Sequence, residues 1–170
     1  PVAVDATKNA EEKDPPQPAA TFDELKEQLT AGEKQTKIDY VKFNKEVKEY
    51  TKKRKEFLKV IQPLQGQITR LQAQLDAMPE GERKVAFGQQ IEAGPMKKLN
   101  ELQQKLSGLS KPNPAPVEAA FATAGKLIEK IRGKPEYAEN ESSIEKLAKK
   151  IEKTQKAFAG AKRKLAKKPK

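Results

Sequence analysis

The sequence predicts an all-α protein, arranged as elongated helical hairpins in a coiled-coil-like bundle with an extended N-terminal arm. A long stretch of the chain repeats apolar residues at alternating spacings of three and four, which is typical of packed helices. The chain has no run of alternating β-branched residues and no Asn-Gly or Asp-Gly hairpin turn. Leu, Ile, Val and Phe make up only 34 of 170 residues, so thin helical layers are expected rather than a thick core.

Composition excludes most catalytic chemistry. The chain contains no Cys, His or Trp, so neither Ser-His-Asp nor Cys-His catalysis can be built within it. The commonest metal ligands are also missing, and there is no phosphate-binding or calcium-binding loop motif. We therefore expect a protein that is not an enzyme, with no catalytic residue, cofactor, metal or small-molecule substrate.

The N-terminal arm, residues 1–20, combines acidic residues with Pro15, Pro16 and Pro18 and has almost nothing to bury. Such composition favours an extended or disordered segment. The arm does not have the basic and apolar regions of an intact signal peptide, and no stretch has the roughly 20 apolar residues that span a bilayer. An intracellular or virion-associated location is therefore favoured, and a membrane is not an expected partner.

The first helix is predicted to begin at Thr21, where Thr21 and Glu24 form a capping box. Leu25 and Leu29 provide its apolar stripe, and Ala31-Gly32 is expected to end it.

The strongest pattern lies in residues 40–78, where a 3,4 spacing continues without interruption. Its positions are Tyr40, Phe43, Val47, Tyr50, Arg54, Phe57, Ile61, Leu64, Ile68, Leu71, Leu75 and Met78. This heptad seam predicts one helix over residues 36–77, about 60 Å long. Pro63 is expected to kink the helix near Val60 or to split it in two.

Residues 79–81 form a predicted turn, after which Gly94-Pro95 restarts a helix that ends at Ser107-Gly108. The segment 111–116 contains three prolines and is expected to be a stiff linker. Beyond it, residues 117–131 form one helix, and a second capping box at Ser142–Glu145 starts another. The predicted organisation is the arm 1–20, a long heptad helix with a return helix (21–110), the linker 111–116, and a basic helical hairpin with a Lys-rich tail (117–170).

The first half of the heptad seam is expected to need a partner. No other segment of comparable length obviously covers residues 40–57, so either the Phe22–Leu29 helix or another subunit must do so, and we favour another subunit. The predicted partner-helix interface consists of Tyr40, Phe43, Val47, Tyr50, Arg54, Phe57 and Ile61. Arg54 occupies an a position of the heptad. It either sets the register or forms an inter-chain ion pair. Alternatively, its side chain extends out of the stripe into solvent.

Positive charge is concentrated in two regions. The net charge of +11 comes mainly from residues 36–59, net +5, and residues 141–170, net +8. Phosphate or acidic-surface contacts are predicted at the C-terminal tail, at Lys162, Arg163, Lys164, Lys167, Lys168 and Lys170. For the helix that carries Lys146 to Lys156 and for the tail, the alternative is an ordinary solvated helix face.

These patterns favour a non-enzymatic structural subunit that pins or bridges protein components of a larger assembly, such as a virion or similar large particle. The alternative function is a nucleic-acid-binding or packaging protein without sequence preference, acting through its basic C-terminal helix and tail. Of the 35 cations, 30 are Lys, and base-specific contacts favour Arg. A third hypothesis, an amphipathic helix on an anionic membrane, has few large apolar residues to support it.

Overall fold

The computed structural model describes residues 20–167, and this part of the chain is all-helical, without a β-strand. The all-α prediction is therefore confirmed. In chain order the elements are α1 (Phe22–Ala77), α2 (Glu82–Ile91), a π-helical turn (Glu92–Met96), α3 (Lys97–Ser107), α4 (Ala115–Arg132) and α5 (Tyr137–Ala166).

Helix α1 begins where the sequence predicts. Thr21 is the N-cap, and its Oγ1 accepts a hydrogen bond from the Glu24 backbone N–H at 3.2 Å. The helix does not end at Gly32, however, and continues for 56 residues, about 84 Å. The predicted stop was wrong because Gly32 lies on the buried side, where a Cβ would be 4.0 Å from Leu127 of α4. Glycine has a low helix propensity, but packing around Gly32 keeps this turn of α1 helical.

Pro63 lies inside α1 and does not split it. Ile61 and Leu64 on either side are buried, so packing offsets the hydrogen bond that the proline removes. The helix ends at Ala77 as predicted. The turn that follows uses Gly81, whose φ of 152° is a conformation that favours glycine.

Helices α2 and α3 are joined by the π-helical turn rather than by a break. Pro95 was expected at the first position of a new helix, but it lies inside this turn. A π turn adds a residue to the helical repeat and so accommodates a residue that the regular ladder disfavours. Helix α3 ends at Ser107 with Gly108 as its C-cap, as expected.

Two long-range contacts show that α5 runs parallel to α1. The rings of Phe43 and Phe158 are 5.2 Å apart, and Arg54 donates a hydrogen bond to the Lys167 carbonyl at 3.0 Å. Helix α4 runs in the opposite direction, because Phe121 lies against Phe158 near its start and Arg132 pairs with Glu145 at its end. Residues 22–57 of α1 therefore form a three-helix bundle with α4 and α5, which we call the bundle.

The main hydrophobic core lies in the bundle. It unites residues from all three helices, among them Leu29, Val47, Ile131 and Ile144. Because α1 before the linker and α4 and α5 after it share one core, the Pro-rich segment 111–116 does not separate two independently packed units. Residues 108–114 connect α3 to α4, and Ala115 and Pro116 of the predicted linker are the first residues of α4.

The rest of α1 has a thinner covering. Residues 60–110, which we call the distal lobe, place the end of α1 against α2, the π turn and α3. The buried apolar side chains of this lobe are Ile61, Leu64, Ile68 and Ile91, and they lie outside the main core. The distal lobe therefore consists of only two helical layers, whereas the bundle packs three helices around one core.

Helix α5 begins five residues before the predicted capping box. Ser142 and Ser143 lie inside the helix, and the Ser143 hydroxyl donates to the Asn140 carbonyl. Glu145 turns instead toward α4, where Arg132 donates to both of its oxygens and the Tyr137 hydroxyl donates at 2.7 Å. The capping-box interpretation was wrong because this cluster engages the carboxylate. The predicted N-terminal arm lies outside the described residues except for Ala20.

Candidate nucleic-acid interface

Part of the α1 heptad seam is covered by this chain itself. Phe43 and Val47 are 2% and 1% exposed within the main core, and Ile61 is buried in the distal lobe. These three side chains cannot also fill a partner's surface, so the expected partner interface was wrong for them. The sequence did not reveal that α4 and α5 cover Phe43 and Val47. Partner contacts stay a prediction for Tyr40, Tyr50 and Phe57, which are half-buried.

Arg54 has a role that neither interpretation anticipated. Its Nη2 donates to the Lys167 carbonyl at 3.0 Å, and its guanidinium lies 5.4 Å from the centre of the Tyr50 ring. Lys167 is the C-cap of α5, where helical carbonyls carry partial negative charge and favour a cation. Arg54 therefore fixes the end of α5 against the middle of α1.

The outer side of α1 has a 3,4 spacing of its own. It is carried by Lys34, Ile38, Val41, Lys45, Lys48, Lys52, Lys55 and Lys59. All eight are exposed, including Ile38 and Val41 at 60% and 61%. At 100° per residue they fall within one outward stripe opposite Phe43 and Val47. We call this stripe the α1 basic face.

Helix α5 carries a second basic stripe. After Glu145, its only carboxylate is Glu152, set against nine cations up to Lys167. The outward positions are at spacings of three and four, except for the seven residues from Lys156 to Arg163. They are Lys146, Lys149, Lys153, Lys156, Arg163 and Lys167, and all are exposed. We call this stripe the α5 basic face.

The parallel packing of α1 and α5 aligns the two basic faces along the bundle. Phe43 is level with Phe158, and Arg54 is level with Lys167. The basic part of α5 therefore lies level with the basic part of α1, although they are more than 100 residues apart in sequence. Each stripe lies on the outer side of its own helix, away from the contact between Phe43 and Phe158.

Few of these cations are neutralised inside the protein. Within residues 20–167, the ion pairs of the two faces and their flanks are Lys37 with the buried Glu33, Lys156 with Glu152, and Lys162 with Glu118. Lys37 Nζ lies 2.9 Å from Glu33 Oε1, although the contact does not have hydrogen-bond geometry. Helix α4 is nearly balanced, with three cations and two carboxylates. The excess of positive charge therefore lies on α5 and on residues 34–59 of α1, which contain ten cations and four carboxylates.

The predicted tail contacts divide into two groups. Arg163, Lys164 and Lys167 are exposed, whereas Lys162 is held by Glu118 at 2.8 Å and lies 5.1 Å from the centre of the Phe158 ring. Lys168 and Lys170 lie outside the described residues. The α1 lysines were recognised in the sequence only as a charged region. Their 3,4 spacing, complementary to the heptad seam, was the signal that could have identified a face.

The seam between α4 and α5 ends in a small charged cluster. The hydroxyl of Tyr137 and the guanidinium of Arg132 both stabilise the Glu145 carboxylate and lower its pKa. The same hydrogen bond from Tyr137 to Glu145 raises the pKa of the tyrosine. These groups hold the two helices together, so we assign them a structural role.

No helix between residues 20 and 167 combines the length and apolar character needed to cross a bilayer. In the same residues, no group of three or more Asp or Glu side chains is placed to hold a metal ion.

Comparisons with protein-family models, curated proteins and solved structures give no match for this chain.

Proposed function

We propose that this protein is a non-enzymatic structural subunit of a larger assembly, in which it binds the phosphate backbone of nucleic acid without sequence preference. The observation that carries the proposal is the alignment of the two basic faces on parallel helices. The nucleic-acid function, first assigned to the C-terminal helix and tail alone, thereby gains a second surface on α1. The elongated arrangement of helical hairpins and a virion-like setting belong to this proposal.

Length and chemistry favour a double helix as the ligand. The α1 basic face extends from Lys34 to Lys59, about 38 Å, and one turn of duplex DNA is about 34–36 Å. Lysine acts as a point charge on phosphates and gives little base discrimination. An extended row of lysines therefore suits a regular array of phosphates better than a single small anion.

Salt dependence of duplex binding tests this proposal. Anisotropy of a labelled 30-base-pair duplex, titrated between 50 and 200 mM salt, should give a log–log slope near −5 if about six phosphates are contacted. Two duplexes of unrelated sequence should bind equally well. Deleting the C-terminal residues would be a poor test, because Ala161 and Leu165 belong to the bundle core.

A charge-matched pair of variants locates the contact. Replacing Lys48, Lys52 and Lys55 by Gln removes three cations of the α1 basic face, and the slope should become shallower by about 2–3. The control replaces Lys97, Lys98 and Lys105 of α3, which are equally exposed, and should leave the slope unchanged. Equal effects of the two triple variants would contradict the proposal, as would binding to anionic vesicles without duplex binding.

A further inference from the structure

The distal lobe leaves apolar side chains partly uncovered. Leu99, Leu102 and Leu106 form the stripe of α3, yet none of them is fully buried. Val60 on α1 is 46% exposed and Val85 on α2 is 61% exposed. Two helical layers leave part of their shared apolar stripe exposed to solvent. A third or fourth helix would be needed to cover it.

The distal lobe is also the near-neutral part of a strongly basic molecule. Residues 60–110 carry six cations and five carboxylates, net +1, whereas the rest of the described chain carries net +10. An isologous contact brings each surface against its own copy. Two copies of the bundle would repel one another, but two distal lobes would not.

The flank of α1 beside this uncovered seam is suited to such a contact. Val60, Leu71 and Met78 recur on one side of the helix, and the exposed Gln67 and Gln74 lie next to them. Neutral amides set no charge pattern that would reject an identical surface. The occupant that these features fit is therefore a second copy of the chain.

We infer that two copies associate through their distal lobes, antiparallel, and together form a four-helix arrangement from α1 and α3 of each chain. The antiparallel orientation follows from charge, because it places the two +10 bundles at opposite ends. The dimer does not depend on nucleic acid, and it would present basic faces at both of its ends.

Sedimentation velocity of the full chain, without nucleic acid, tests the association at 50 and 500 mM salt. A dimer should form, and it should tighten as salt screens the repulsion between bundles. This response is opposite to the weakening expected for duplex binding, so the two proposals can fail separately. A monomer at all concentrations up to about 100 μM and at both salt concentrations would overturn the inference.

Single cysteines test the orientation, since the chain has none of its own. Gln67 lies near the middle of the α1 part of the lobe, so Gln67→Cys should form a disulfide-linked dimer under mild oxidation. Gln74 lies farther from the middle, and in an antiparallel pair its two copies would be about 16 Å apart, too far for a disulfide. Gln74→Cys and a Lys126→Cys control on the bundle should therefore remain monomeric on denaturing gels. Efficient cross-linking at Gln74 instead of Gln67 would overturn the antiparallel arrangement.

Double substitution of Gln67 and Gln74 by Glu provides a check that does not disturb the lobe core, because both side chains are exposed. The two copies of position 67 would then oppose one another as like charges, position 74 would add negative charge to the same interface, and the dimer dissociation constant should rise at least tenfold. The control with Ala at both positions should change it less than threefold. Helicity should be the same in both variants, and an unchanged dimer in the Glu variant would count against the interface.

Discussion

The two halves of α1 share one spacing of apolar residues but are buried to different depths. In the bundle half, Phe43 and Val47 lie in a core built from three helices. In the distal half, Leu71, Leu75 and Met78 continue the same register but stay partly exposed beneath a single return layer. A heptad pattern therefore specifies which side of a helix is covered, whereas the number of covering helices depends on the rest of the chain.

Replacing an aromatic residue in the core of the bundle should destabilise the protein more than a replacement in the distal lobe does. Phe158 is 5.2 Å from the Phe43 ring and 5.6 Å from the Phe121 ring, so Phe158→Ala leaves a cavity between three helices. The free energy of unfolding should fall by about 3–5 kcal/mol, measured by urea denaturation. Phe158→Leu, which refills part of the space, should lose clearly less, and a loss below about 1 kcal/mol for Phe158→Ala would contradict this core.

A truncation in the distal lobe should have a smaller and more local effect. Ile68→Ala removes a buried side chain from the thin layer and should cost about 2 kcal/mol, at the low end for such changes. Hydrogen exchange followed by mass spectrometry should show faster exchange in residues 61–107 and little change in α4 and α5.

The control for this substitution is Val85→Ala, since Val85 is mostly exposed. Its effect on stability should stay within about 0.5 kcal/mol. If Ile68→Ala accelerated exchange equally in both halves, the protein would unfold as one cooperative unit, and the contrast between the halves would not extend to stability.

The smallest effect should come from the charged cluster at the α4–α5 seam. Hydrogen bonds from Tyr137 and Arg132 lower the pKa of Glu145, so its contribution to stability is present above the ordinary carboxyl pKa and is lost as pH falls. Glu145→Gln should lower the Tm at pH 7 by about 1–2 °C. It should also weaken the decline in Tm between about pH 5 and pH 3.

Glu80 in the distal lobe provides the matched comparison. Its pKa is also lowered, by a hydrogen bond from Lys84 and by the charge of that lysine. The pair joins only neighbouring residues at the surface, so Glu80→Gln should change the Tm less than Glu145→Gln at pH 7. Equal shifts would show that the contact between α4 and α5 adds nothing beyond a local surface pair.

Local signals in the sequence were sufficient for much of the fold. The Thr21 cap, the end of α1 before Pro79 and the Gly108 C-cap all depend on residues close in sequence. The errors arose where tertiary packing overrode a local signal. Gly32 stayed helical beneath Leu127, and Glu145 paired with Arg132 instead of capping a helix. The alignment of the two basic faces could not be predicted, because no local feature of the sequence indicates that α5 runs parallel to α1.

The hydrogen bond from Arg54 to the Lys167 carbonyl determines where attached probes would appear on the molecule. It anchors the end of α5 near the midpoint of α1, whereas Phe22 lies about 48 Å away along the same helix. A fluorescent protein or gold particle fused after α5 would therefore mark the junction between bundle and distal lobe in electron micrographs. A label inserted at the Gly81 turn would mark the far tip, and the two positions together would orient each copy within an assembly.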